Sequence, residues 1–157
     1  MKRYSVTLIL CLLAANVGYG QSLSPCHAEL AIFDTDQHGL NLRTGPGTNY
    51  PISTNITDLD SVLYIEGIHG KWVRVIGTTR SDNTSPDLNG WVYGPLLGTL
   101  AFDRDSGNET KLYSQPSEES KIVAKFSHGE KLSFEGCSNH WVKVRSGDKA
   151  GWTASGR

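Results

Sequence analysis

Residues 40–43 alternate apolar and polar side chains, with Leu40 and Leu42 set against Asn41 and Arg43. A period of two puts one pair on each face of a β-strand. Thr44-Gly45-Pro46-Gly47 then ends the strand: Pro46 fixes φ and lacks an N–H, and the flanking glycines tolerate backbone angles that other residues avoid. Ile52 opens the next strand. An apolar run at residues 62–65 and a turn at 67–70 lead to Trp72-Val73-Arg74-Val75. There the alternation predicts the valines in the core and Trp72 and Arg74 on the opposite face, with Trp72 at least partly exposed.

The pattern occurs twice. Ala31-Ile32-Phe33-Asp34-Thr35-Asp36 has a near copy 69 residues on, in Leu100-Ala101-Phe102-Asp103-Arg104-Asp105. Leu42, Pro46 and Ile52 correspond to Leu112, Pro116 and Ile122 at an offset of 70, and Trp72-Val73-Arg74-Val75 to Trp141-Val142-Lys143-Val144 at 69. At Gly90-Trp91 and Gly151-Trp152 the offset falls from 69 to 61, so the first copy carries eight extra residues before its last strand. Shared aromatic and turn positions in one order are most simply two copies of one fold. The second copy has Tyr113 in the place of Arg43 and Gln115 in the place of Gly45, which predicts a different loop after its first long strand. Because Arg157 follows Trp152 so closely, its last strand is expected to be short or borrowed. Residues 94–99 are too short and apolar for a free linker, and Leu96 and Leu97 are expected to pack between the copies. Residues 78–88, rich in Ser, Thr, Asn and Asp, read as an exposed surface insertion rather than a ligand-contacting arm.

Leu40, Asn41, Leu42, Arg43, Gly45, Pro46, Tyr50, Pro51 and Ile52, with the later Trp72-Val73-Arg74-Val75 and Gly90-Trp91-Val92, resemble the bacterial SH3-like (SH3b) domain. Its opening motif reads L-N-[VL]-R-x-G-P-x-x-x-[YF]-P-[VI]. The resemblance implies an all-β fold of two tandem small SH3-like β-barrels, the first over residues 27–98 and a divergent second over 99–157. It also implies a ligand groove formed by Tyr50, Trp72, Trp91 and Tyr93, with Asn41 and Arg43 at its edge, where flat rings stack on sugar faces or pack on peptide. The competing expectation is that Trp72 and Trp91 fill the core. By the same resemblance the ligand is peptidoglycan or its stem or cross-bridge peptides, and the protein is a non-enzymatic binding module of the cell envelope. One fold serves many ligands, so a protein partner, with the chain as adaptor or inhibitor, is the alternative.

Composition fixes the compartment. Lys2 and Arg3 precede an apolar run at residues 6–17, and Gly18 and Gly20 stand at −3 and −1 of a cut before Gln21, which reads as a signal peptide over residues 1–20. The run is too short for a membrane anchor, which needs about 20 apolar residues. Cys11 lies inside the run and follows no small residue, which disfavours a lipoprotein, so no membrane insertion is expected after cleavage. The location is then periplasmic or secreted. In an exported chain the two remaining thiols, Cys26 and Cys137, are read first as a disulfide. Without Lys2 and Arg3 the chain has 13 basic and 16 acidic side chains, which favours neither nucleic acid nor an anionic membrane. The acid is concentrated in residues 27–98, with 4 basic and 8 acidic side chains against 9 and 8 in residues 99–157, which would steer a basic partner to the first copy.

Other chemistries are poorly supported. Asp34-Thr35-Asp36-Gln37-His38-Gly39 begins like a calcium loop, but Gly45 stands where a bidentate Glu would close it; solvated turn acids are preferred over calcium or an acidic lure for a basic peptide. His27 beside Cys26, and His140 near Cys137, make no thiol–base pair, because adjacent strand residues point to opposite faces. The five histidines lack zinc spacing, so neither cofactor nor metal is expected. The sequons at Asn55, Asn83 and Asn108 mean little if the protein is bacterial, as the resemblance implies.

Overall fold

The computed structural model describes residues 23–33, 38–80, 82–84, 86–101 and 109–155. The signal peptide read at residues 1–20, the carboxylates of Asp34, Asp36, Asp103 and Asp105, and Asn108 lie outside them. Among the described residues no helix is long and apolar enough to cross a membrane.

Alternation sets the strands. β1 (Ser24–Ile32) buries Cys26, Ala28, Leu30 and Ile32 at every second position. β2 (Leu40–Arg43) buries both leucines, and β5 (Trp72–Thr79) buries Val73 and Val75 while Trp72 and Arg74 stay partly exposed. Between them lie β3 (Ile52–Ile56) and β4 (Val62–His69). β6 (Gly90–Tyr93), a 3-10 turn (Gly94–Leu96) and β7 (Leu97–Leu100) follow. The remainder is β8 (Glu109–Tyr113), β9 (Ile122–Ser127), β10 (Lys131–Ser138), β11 (Trp141–Ser146) and β12 (Lys149–Ala154).

Three boundaries differ from the sequence reading. Gly67 lies inside β4, where Leu23 fills the space a Cβ would take, so the turn is confined to Gly70 and Lys71. The insertion starts only after Thr79: Thr78 is buried and its Oγ1 donates to the Val62 carbonyl at 2.9 Å. Beyond it residues 82–84 are exposed, and the Thr84 hydroxyl, with its amide, holds the Asp82 carboxyl below its usual range. Finally β12 is neither short nor borrowed, since its six residues pair with β11 along its length.

The ladders form a single open sheet in the order β3-β2-β6-β5-β4-β1-β7-β10-β11-β12-β8-β9, not two separate barrels. The reason is β1, whose two edges are both used: β4 bonds one and β7 the other. Matched through the sequence repeat, β1–β6 correspond to β7–β12, and the second six run in reverse of the first. The sheet is therefore palindromic about the antiparallel β1–β7 ladder, in which Ala31 faces Gly98 and Ile32 faces Leu97. Each half must also curl. β3 and β4 stand four places apart in the sheet, yet only residues 57–61 join them, and the Ser61 N–H turns back to the Asp58 carbonyl.

The connector is part of this junction. Leu97 is fully buried, and a Cβ on Gly98 would lie 2.2 Å from the Phe33 ring and 2.5 Å from the Leu132 carbonyl, so only glycine fits. The division drawn between residues 98 and 99 thus falls within β7, which is bonded to β1 and to β10. At the other end of β1, Cys26 and Cys137 form a disulfide with Cα atoms 5.4 Å apart. Around it the His27 N–H donates to the Asn139 carbonyl at 2.7 Å and the Asn139 N–H to Pro25 at 3.0 Å. The Ser155 hydroxyl also lies 2.7 Å from the His27 carbonyl and 2.9 Å from that of His140.

The loops after β2 and β8 are alike despite Gln115. Thr44 and Ser114 donate to the carbonyls of Pro51 and Lys121, Gly47 and Ser117 to Gly45 and Gln115, and Tyr50 and Ser120 to Gly47 and Ser117. Neither Gly45 nor Gln115 has a positive φ, so backbone freedom is not what Gly45 supplies. Its role is space: a Cβ there would lie 2.3 Å from the Tyr50 ring. In the second half Ser120 replaces Tyr50, and Gln115 becomes admissible.

Two predictions follow from these contacts. Replacing both Cys26 and Cys137 with alanine opens a closure of 111 residues. Stability should fall by roughly 2–5 kcal/mol, read from urea unfolding, and an unchanged midpoint would assign the clasp to its hydrogen bonds alone. Gly45→Gln should destabilise by about 1–3 kcal/mol as Tyr50 is displaced. Adding Tyr50→Ser, which copies the second half, should recover most of that loss in a double-mutant cycle.

Candidate functional site

The outer face of β2, β6 and β5 gathers polar and aromatic side chains because the apolar alternates point inward. Cross-strand register sets Arg43 opposite Trp91 and Trp91 opposite Arg74, and in the next row Tyr93 opposite Trp72. Trp72 and Tyr93 have ring centroids 5.6 Å apart, inclined at 58°. The Arg74 guanidinium lies 5.8 Å from the Trp91 ring centroid, within cation–π range.

A cleft of about 730 Å³ opens on this face, lined by Asn41, Arg43, Trp72 and Tyr93, with Leu96 and the loop residues 47–49. Its wall is held from within. Arg43 Nη1 donates to the carbonyls of Tyr50 at 2.8 Å and Thr48 at 3.2 Å, so this side chain fastens the loop as it lines the cleft. The Asn41 side-chain oxygen accepts from Asn55 Nδ2 at 3.0 Å, which leaves the Asn41 amide nitrogen as a donor for a ligand.

Four of the six residues named from the sequence therefore converge, and two do not. Trp91 is only 9% exposed and lies between Arg43 and Arg74. Tyr50 is 39% exposed, yet its ring covers Gly45 and does not line the cleft. Leu96 and the loop residues 47–49 line it without having been singled out as ligand contacts. The signal for Leu96 was its place three residues after Tyr93, across a short Gly-Pro turn that returns the chain to the same face.

A second cleft, of about 440 Å³, lies between the halves, bounded by Lys71 and Pro95 on one side and Phe134, Glu135, Lys143 and Arg145 on the other. Glu135 pairs with both cations of β11, with Lys143 Nζ at 3.9 Å and with Arg145 more closely. Elsewhere the His27 and His140 rings face one another, centroids 5.3 Å apart, while both neighbouring sulfurs are committed to the disulfide. Among the described residues no group of three or more His, Cys, Asp or Glu is placed to hold a metal.

With this geometry in view, known proteins can be compared. The chain is 24% identical over 168 aligned positions to a Bacillus subtilis (strain 168) protein named "Putative N-acetylmuramoyl-L-alanine amidase YrvJ". That alignment takes in 98% of this chain but 30% of the relative, so the chain spans less than a third of that protein's length. Residues 108–157 match the family model described as the bacterial SH3 domain, so the half built from β8–β12 is similar to bacterial SH3 domains.

Proposed function

We propose that the protein is an exported, non-enzymatic binding module of the cell envelope, built of two fused SH3b units, that recognises peptidoglycan or its peptides. The observation that carries this reading is the convergence of Asn41, Arg43, Trp72 and Tyr93 on one cleft. A tilted Trp–Tyr pair offers flat surface to a sugar ring or a peptide, while Asn41 and the remaining Arg43 donors supply direction. The similarity to bacterial SH3 domains supports it, as does a relative named for the bond between muramic acid and L-alanine. The disulfide supports a periplasmic or secreted location, because such bonds persist in oxidising compartments.

A protein partner is the second reading, favoured by the charge of residues 27–98, with 4 basic against 8 acidic side chains. At the first cleft the two readings separate on salt. Electrostatic steering of a basic protein fades between low and physiological ionic strength, whereas ring stacking in the cleft persists.

The test is co-sedimentation of the purified mature protein with protein-free peptidoglycan sacculi. The wild type should pellet with the sacculi, and Trp72→Ala, with its fold verified by circular dichroism, should weaken binding by about 2 kcal/mol, roughly thirtyfold. Wild-type protein remaining in the supernatant would redirect the search to a protein partner.

A further inference from the structure

The palindromic sheet repeats the outer face of the first half in the second, and there the chemistry has been rearranged without being lost. Two rows correspond. Arg43–Trp91–Arg74 becomes Tyr113–Trp152–Lys143, in which Trp152 pairs with both Tyr113 and Lys143. Tyr93–Trp72 becomes Ala154–Trp141, so the tyrosine partner of the first tryptophan is missing from its equivalent strand. It is supplied from another strand: Tyr113, on β8, meets Trp141 edge-on with ring centroids 5.8 Å apart.

The exchange is possible because the loop no longer needs Arg43. In the first half that guanidinium holds the loop carbonyls of Thr48 and Tyr50. In the second, Ser120 Oγ fastens the loop at other points, bonding the carbonyls of Gln115 at 3.1 Å and Ser117 at 2.9 Å and accepting from the Gln115 N–H at 3.1 Å. Position 113 is thereby released for an aromatic ring. Each half ends with one Trp–Tyr pair on its outer face, built from different strands.

The surroundings of the second pair differ in charge. Trp141, Lys143 and Arg145 alternate along one face of β11, a stripe about 14 Å long at the usual rise per residue. The equivalent positions on β5 read Trp72, Arg74 and the exposed Ile76. The stripe runs from the aromatic pair into the cleft between the halves, where Lys71 stands across from Lys143 and Arg145. Three cations meet one carboxylate, Glu135, and exposed pairs of this kind are worth about 1 kcal/mol or less, so a competing anion can displace it.

From this placement we infer that the second half carries its own ligand surface, Trp141 and Tyr113 continued by Lys143 and Arg145 into the inter-half cleft. It takes a carboxylate-bearing segment of the same wall polymer that occupies the first cleft. The inference rests on the wall-binding reading. Stem peptides supply the carboxylates, sugar rings supply faces for Trp141, and two sites on one polymer act with an effective local concentration that neither has alone.

The experiment uses the mature chain and protein-free sacculi at low salt. Lys143→Ala/Arg145→Ala, at side chains partly or largely exposed, and Trp141→Phe should each weaken co-sedimentation by roughly tenfold or more, with Trp72→Ala adding to the loss. Sacculi whose carboxylates have been amidated should bind the wild type no better than unmodified sacculi bind the Lys143→Ala/Arg145→Ala variant. If wild type binds and these variants bind as tightly, the second surface is refuted while the first cleft stands. If wild type does not pellet at all, the wall-binding reading itself fails, and the inference with it.

Discussion

β1 carries the architecture because, with β7, it forms the seam of the sheet, bonding β4 of its own half on one edge and β7 of the other half on the second. On one edge it bonds β4 from Ser24 to Ala31, and on the other its last two residues bond β7. Its alternate side chains, Cys26, Ala28, Leu30 and Ile32, are all buried, so its inward face is committed as well. A strand used on both edges leaves no place for a flexible linker, and the two halves become one sheet. The disulfide then fixes the free end of β1 to β10, opposite the end where Phe33 and Leu96 bond. With both ends tied, β1 cannot slip by one residue, and a slip would turn its whole buried set outward.

The period of two made most of the strands legible in the sequence. Leu40, Leu42, Val73 and Val75 are buried where alternation puts them, and Asn41 and Trp72 lie outward. What it could not show was the use of an edge, because backbone hydrogen bonding at β1 and β7 has no side-chain signature. Separate barrels were the natural reading of a repeat, and what makes the sheet continuous is the pairing of Ala31 with Gly98 and of Ile32 with Leu97. Residues 94–99 held a clue in their apolar character. Gly98 held another, but one visible only once Phe33 and Leu132 are seen to crowd it.

The site was legible in part for the same reason. Register brought Trp72 and Tyr93 together from opposite ends of two strands, as a hairpin requires. Trp91 is absent from the cleft lining because its row places a cation-bearing side chain on either side, and neighbours on both edges bury a central ring. Tyr50 is absent from the cleft lining for a local reason, since its ring is seated over Gly45. Gln115 was misread as a backbone signal, when the relevant difference was Ser120 in the place of Tyr50, five residues further on. The family match falls on residues 108–157, where motif positions have drifted but the strands follow without the insertion that separates β5 from β6.

The symmetry of the sheet also constrains how two surfaces could share one ligand. β1 and β7 are antiparallel neighbours, so the rotation relating the halves runs roughly perpendicular to the sheet at their junction. The same rotation reverses strand direction: Trp72-to-Ile76 on β5 and Trp141-to-Arg145 on β11 run in opposite senses. A linear polymer with chemical polarity, lying straight across the junction, would therefore present its ends in the wrong order to one of the two. Equal sites would demand two antiparallel strands. Unequal sites, one with Arg43 and Asn41 beside its rings and one with a cationic stripe beside them, remove that demand, because each can read a different feature of a single strand. On the proposed wall-binding reading, the divergence of the second half is a way for a symmetric scaffold to meet a ligand that has a direction.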